Sequence, residues 1–122
     1  ELMKVRSMTH PERIYELTAD NLETNPDSRD SHGDPIRPHI VFFQEAVPNI
    51  EPAIDIVSKA DIVIVIGTSM AVYPAAGLVN YVPTGSPIYY IDPKPATVGS
   101  NVIVMATTAT QGMEQLLQTL KP

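Results

Sequence analysis

Gly67, Thr68 and Ser69 close an unbroken apolar run in the stretch "IVIVIGTSMAVYPAAG", residues 62–77, and small residues lead on from them toward a helix. Glycine at such a corner lets backbone approach a ligand closely. Two hydroxyls beside the unpaired amides of a helix start can donate to phosphate or ribose oxygens. The next apolar run ends in Asp92. A carboxylate there is suited to accept hydrogen bonds from ribose hydroxyls, and it would repel a 2′-phosphate. Taken alone, a Gly-Thr-Ser corner serves plain turn chemistry equally well, so ligand binding and a simple strand-to-helix turn both stay open.

Few other residue types here suggest chemistry. His32, between Asp30 and Asp34, has the right character for a metal ligand, but no second His or Cys stands near it, and a solvated loop is the simpler reading. His39, in "RPH", reads as a hydrogen-bonded structural histidine. Tyr73, Tyr89 and Tyr90 read as packing. Of Phe42 and Phe43, which alternate along an apolar run, one is expected in the core.

Several elements must position these groups. "LMKV" reads as a short strand and "THPERIYELT" as a helix with Thr9 and Glu12 spaced as a capping box, although Pro11 disfavours helical geometry at His10. Residues 20–35, "DNLETNPDSRDSHGDP", are almost wholly polar and rich in turn formers, and are expected to be a solvated acidic loop. Beyond residue 35 the pattern becomes regular. "HIVFF" reads as a strand, and Ile50, Ala53, Ile54 and Val57 fall at the spacing of one helical stripe. The apolar "IVIVI" suits a central strand covered on both faces. A short helix near Ala75–Tyr81 follows, then strands "PIYYID" and "NVIVMA", then a helix striped by Met113, Leu116, Leu117 and Leu120. Strands alternating with helices across short connections imply parallel β-α units, a Rossmann-like half with helices on the sheet faces.

Composition narrows the function classes. The chain has 122 residues, enough for one modest core, and is 43% apolar. Its longest unbroken apolar run, Ile62–Ile66, is too short to cross a bilayer, so a soluble globular protein without membrane partners is expected. A net charge of −6 and the lack of any Lys/Arg cluster argue against nucleic acid as a partner. The chain has no cysteine, which excludes disulfides, thiol nucleophiles and thiolate metal sites. No signal peptide is seen, and a cytoplasmic location is expected. Because the sequence opens on Glu1 rather than Met, it is expected to be a piece of a longer protein.

The order of the pieces is more specific than any one of them. "RPHIVFFQEAVP" (37–48), a helix, "ADIVIVIGTSMAVYPAAGL" (60–78) and "IYYID" (88–92) together resemble the carboxyl-terminal half of the sirtuins, NAD-dependent protein lysine deacylases. The likeness covers roughly residues 36–120. In that family the matching text is a "RPxVVxFGE" segment, "AD", an apolar strand, "GTSxxVxPAAGL" and a strand ending in Asn. The fold it implies is α/β: a Rossmann-like parallel sheet with helices on its faces, part of a DHS-like NAD-binding domain. Residues 36–122 would be the carboxyl-terminal half of that domain, and residues 1–35 the remnant of a small module with its acidic loop.

The resemblance also implies roles. Gly67, Thr68 and Ser69 would line the site of NAD, a co-substrate. Asp92, Pro93 and Lys94 would reach the adenosine ribose, and Ala109 would contact the adenine. Val41 would offer its carbonyl to the acyl-lysine amide, while Phe42, Phe43, Gln44 and Glu45 would pair with the backbone of an acyl-lysine protein or peptide by strand addition. Three departures stand out. The family's two cysteine pairs, which hold a structural zinc, have no counterpart, so no zinc is expected. Gln44 replaces the usual Gly, and Asp92 replaces Asn.

The family's Gly-Ala-Gly phosphate loop, its nicotinamide pocket and its catalytic histidine would all lie upstream of Glu1. No histidine of this chain takes the catalytic part, and the isolated chain is expected to be inactive. An open sheet edge would favour self-association. The alternative reading is a non-catalytic module that binds a dinucleotide or ADP-ribose. The middle domain of thiamine-diphosphate enzymes shares the architecture but gives no reason for "RPHIVFF".

Overall fold

The computed structural model describes residues 3–20 and 23–121. Leu2 of the predicted "LMKV" strand and residues 21–22 of the acidic loop lie outside the described residues. The chain forms two compact units, one running through Ala46 and the other starting at Val47.

The first unit is a small antiparallel sheet of β1 (Lys4–Ser7), β2 (Ile14–Glu16) and β3 (Ile36–Pro38), with β1 in the middle. Val5 and Ser7 on β1 are buried. The helix expected over "THPERIYELT" is not formed. Its capping box is pre-empted, because the Ser7 hydroxyl accepts from the His10 amide and Arg13 donates back to the His10 carbonyl. Pro11 bars a helical His10. The chain therefore reverses and pairs Lys4 with Glu16, Val5 with Tyr15 and Arg6 with Ile14.

"HIVFF" is not the strand that its composition predicts. The strand lies earlier, at Ile36–Pro38, where Val5 pairs with Pro38 and Arg6 with Arg37. Residues 39–46 leave the sheet after the His39 amide donates to the Lys4 carbonyl, and they curl into a turn.

The acidic loop is solvent-facing, as expected, yet it has internal order. One oxygen of Asp30 accepts from the His32 and Asp34 amides and the other from the Tyr15 hydroxyl, while Arg13 and Asp34 form an ion pair at 3.0 Å. Burial pushes the Asp30 carboxyl up, but those two amides and the hydroxyl outweigh it and hold the group below its ordinary value. Burial, followed by the facing Asp30, pushes the Tyr15 hydroxyl up.

The second unit carries α1 (Ile50–Val57), β4 (Val63–Ile66), a 3₁₀ helix (Ala75–Tyr81), β5 (Ile88–Ile91), β6 (Val102–Met105) and α2 (Ala109–Thr119). The strands form a parallel sheet in the order β4-β5-β6. This is the expected α/β, Rossmann-like arrangement. The stripe of α1 is half-buried along its length, and α1 packs on the 3₁₀ helix. The buried centre is β5, with Ile88, Tyr90 and Ile91 at most 3% exposed.

The expectation that "IVIVI" is the central strand is corrected here. Among the described residues β4 has one strand neighbour, and Ile64 and Ile66 are exposed. Beside it, α1 and the 3₁₀ helix leave an apolar groove of about 380 Å³ lined by Val57, Ile64, Val65, Met70 and Val79 among others. Its composition suits two covered faces, but Ile64 and Ile66 stay exposed, and no second strand pairs with it among the described residues.

Helix α2 docks on β5 through Gly112. A Cβ built there would lie 2.3 Å from Ile91 Cγ2, so only glycine permits this approach. Of the expected stripe, Leu116 is fully buried, Met113 half-buried, and Leu117 and Leu120 exposed.

Candidate functional site

The register of the parallel sheet decides where the sequence-derived residues fall. Ile66 pairs with Ile91 and Ile91 with Met105, so the residues just beyond them emerge together at the carboxyl ends of three adjacent strands. The Gly67 amide donates to the Ile91 carbonyl at 3.0 Å, and the Asp92 amide to the Met105 carbonyl at 3.2 Å. Gly67 and Asp92 thus sit side by side. Ala109, the first residue of α2, follows β6 along the same edge. Ligands of open parallel α/β sheets bind beyond this edge.

Local geometry keeps the edge open. Gly67 adopts φ +63, and the space where a Cβ would stand holds no atom within 4 Å. Met70, at φ +54, continues the turn, and its amide donates to Thr68 Oγ1 at 3.2 Å. Ser69 is exposed. On the neighbouring loop, Asp92 Oδ1 accepts from the Lys94 amide at 2.7 Å, which fixes the carboxylate in a local turn. A carboxylate has acceptor capacity left for ribose hydroxyls after one such bond. Pro93 and Lys94 are exposed.

Ala109 stands at the positive end of an 11-residue helix. Thr108 caps that helix through its side chain, accepting from the Gln111 amide. The side-chain oxygen of Gln111 in turn accepts from the hydroxyls of Thr107 and Thr108.

Val41–Glu45 belong to the first unit. They form a turn rather than an extended strip: the Glu45 amide donates to the Phe42 carbonyl, and Gln44 takes a left-handed φ of +70. The Glu45 carboxylate receives Arg37 at 2.5 and 3.2 Å, the Phe42 amide at 3.0 Å and Arg6 at 3.8 Å. The Arg37 guanidinium also lies 4.4 Å from the centre of the Phe42 ring. Hydrogen bonds from Arg37, then from the Phe42 amide, hold the Glu45 carboxyl below its ordinary range, against burial. The turn leaves Val41, Phe42 and Phe43 facing outward, Phe43 at 86% exposure. Neither aromatic is core.

Sequence reasoning missed three groups. Tyr90, read as packing, is buried as expected, but its hydroxyl makes two loop contacts. The signal was a tyrosine within a strand otherwise suited to full burial, since a buried phenol needs a partner. Arg37 and Gly112 carried no local signal, because the partner of each lies elsewhere in the fold. His32 is exposed and makes a contact with the Ser31 hydroxyl. Among the described residues no group of three or more His, Cys, Asp or Glu is disposed to hold a metal.

The Sir2 family model matches residues 3–74. The chain belongs to the Sir2 family. It is 55% identical over 97 residues, 80% of its length, to an NAD-dependent protein deacylase of Aggregatibacter actinomycetemcomitans, covering 45% of that protein. Over its whole length it is 45% identical to an NAD-dependent protein deacylase of Bacteroides thetaiotaomicron, covering 54% of it. The chain therefore spans about half the length of these curated relatives. Among solved structures it is similar to an ADP-ribose complex of a Sir2 homologue variant, with a TM-score of 0.82 and 28% identity, covering all of this chain and 53% of the other. Both the antiparallel unit and the parallel unit of this chain fall within that likeness to the Sir2 family.

Proposed function

We propose that this chain is the nucleotide-ribose and acyl-peptide portion of an NAD-dependent protein lysine deacylase. The observation that carries the reading is the register placing Gly67 beside Asp92, with Ala109 further along the same carboxyl edge. Gly67, Thr68 and Ser69 would hold the ribose and phosphate oxygens. Asp92, Pro93 and Lys94 would bind the adenosine ribose, and Ala109, too small to block it, would border the adenine. The open space at Gly67 and the unspent acceptor capacity of Asp92 fit such a ligand.

The segment of exposed Val41, Phe42, Phe43 and Gln44 with half-buried Glu45 would receive the acyl-lysine peptide. Val41 would orient the acyl-lysine amide through its carbonyl, and the aromatic pair would exclude water from the acyl chain. NAD, the co-substrate, would supply an electrophilic ribose carbon with nicotinamide as its leaving group. The residues present here bind and orient; none is assigned the general-base role. Nicotinamide release from NAD, dependent on an acyl-lysine peptide, tests the reading on the longer protein. No release together with no ADP-ribose binding overturns it.

A second reading, a binding module without catalysis, is favoured by one observation: Gln44, which replaces the usual Gly, stands at a left-handed φ of +70 within the segment that would meet the substrate backbone. ADP-ribose binding without nicotinamide release selects it. Self-association of the chain through β4, which has one strand neighbour among the described residues and exposes Ile64 and Ile66, belongs to either reading. Sedimentation over a range of concentrations tests that.

A further inference from the structure

We propose that Tyr90 is a positioning residue that ties the Gly67–Ser69 loop to the Asp92–Lys94 loop, so that the two ribose-facing segments form as one unit. The inference rests on the reading of this edge as a nucleotide site. Tyr90 lies on the central strand and is 1% exposed. Its hydroxyl emerges at the carboxyl edge, donates to the Thr68 carbonyl at 2.5 Å and accepts from the Ala96 amide at 3.1 Å. A phenol has one donor and accepting lone pairs, so a single atom serves one loop with each function.

Both contacts act on the residues that face the ligand. Because a trans peptide points its carbonyl and its amide in opposite directions, drawing the Thr68 carbonyl inward to Tyr90 turns the Ser69 amide outward. The Ser69 N–H then points to the side where a ribose or phosphate oxygen would sit, next to an exposed side chain. On the other loop, Asp92–Lys94 is anchored at its start by β5 and tethered again where Ala96 returns to the same hydroxyl. The turn of Asp92 Oδ1 with the Lys94 amide lies inside this closed span. Removing one oxygen atom therefore releases two loops and leaves the Thr68 carbonyl and the Ala96 amide without their partner.

The test is Tyr90→Phe, which keeps the ring and deletes only the hydroxyl. Tyr89→Phe is the control, since Tyr89 neighbours Tyr90 but takes no part in the clamp. The ¹⁵N-labelled chain is titrated with ADP-ribose by NMR, which reads weak affinities. Expected are shifts of Gly67, Ser69, Asp92 and Lys94 in the unmutated chain, a roughly tenfold weaker affinity in Tyr90→Phe, and no change in Tyr89→Phe. If Tyr90→Phe binds within twofold of the unmutated chain, the clamp is overturned while the nucleotide reading stands. If the unmutated chain shows no shifts at these residues, both fall.

Should Tyr90→Phe fail to fold, hydrogen exchange in the unmutated chain decides. An Ala96 amide at least tenfold more protected than that of Thr97, and slowed further by ADP-ribose, supports the clamp. Exchange of Ala96 at the rate of Thr97 overturns it.

Discussion

Glu45 grips Arg37 with both carboxylate oxygens and, with one of them, the Phe42 amide as well, so a single side chain sets the turn that turns the aromatic pair outward. Arg37 completes the grip by lying over the Phe42 ring. Charge-assisted bidentate pairing gives this geometry its specificity. If Val41–Glu45 receive an acyl-lysine peptide as proposed, Glu45 contributes by holding the turn that presents the aromatic pair.

The first prediction follows from the depressed Glu45 carboxyl. A carboxyl whose pKa is lower folded than unfolded adds stability above the unfolded value, and that stability is lost as pH falls through the folded one. The turn should therefore hold at neutral pH and loosen only in acid, below about pH 4.3. Following the Phe42 amide by NMR from pH 7 to pH 3 reads this. In Glu45→Gln the amide signal should be displaced already at pH 7 and show no such transition. An identical acid transition in both proteins would show that Glu45 does not hold the turn.

Gln44 sits at φ +70, a conformation that a side chain with a Cβ adopts at a cost of roughly 1–2 kcal/mol. Glycine takes it freely but loses more entropy on folding. Gln44→Gly should raise stability by about 0.5–1 kcal/mol, read as a shifted urea midpoint with an unchanged slope. A midpoint that does not move would mean that the turn relaxes out of this conformation in solution.

Gly112→Ala tests the docking of α2. Alanine favours the helix by about 1 kcal/mol, but its Cβ would meet Ile91 Cγ2 at 2.3 Å, and overpacking costs about 1–3 kcal/mol. With the fully buried Ile91 side chain as the obstacle, a net loss of about 1–2 kcal/mol is expected. Ile91→Ala should be destabilising on its own, yet the double variant should lose less than the two losses added, because the clash is gone. Strict additivity would place the helix further from β5 than the structure does.

Periodic elements were legible because each residue type reports its own burial. The stripe of α1, the apolar run of β4, the strands β5 and β6 and the presence of α2 all follow from local pattern, and so does the meeting of Gly67 with Asp92 at one sheet edge. What failed depended on partners distant in sequence. "IYE" at 14–16 becomes a strand because β1 lies beside it, not because three residues can announce one. "HIVFF" has strand composition, but Glu45 captures the Phe42 amide and bends it. β4 reads as central because composition records which faces suit burial, whereas an edge is defined by the neighbour a strand has. Tyr90 was legible as core and illegible as a link between loops, since a hydroxyl's partners are set by tertiary geometry.

The last prediction concerns the 122-residue chain by itself: it should fold, bind ADP-ribose weakly and catalyse nothing. Folding is expected because three parallel strands with α2 seated on β5 and α1 on the 3₁₀ helix enclose a core around Ile88, Tyr90, Ile91 and Leu116. Weak binding is expected because, in the proposed reading, the edge would offer ribose and adenine contacts from Gly67–Ser69, Asp92–Lys94 and Ala109, which amount to a fraction of a dinucleotide's surface. Affinity follows the contacts made after the entropy of association is met, so a partial set leaves little surplus. The individual contacts can be told apart. Ser69→Ala removes a hydroxyl on the open edge and should weaken ADP-ribose binding about three- to tenfold. His39→Ala alters the other unit and should leave that binding within twofold. Calorimetry or NMR titration of both variants beside the unmutated chain checks this, and assays for nicotinamide release check the absence of turnover. Submicromolar NAD affinity, or deacylation by these residues alone, would show that the edge described here is already a complete site.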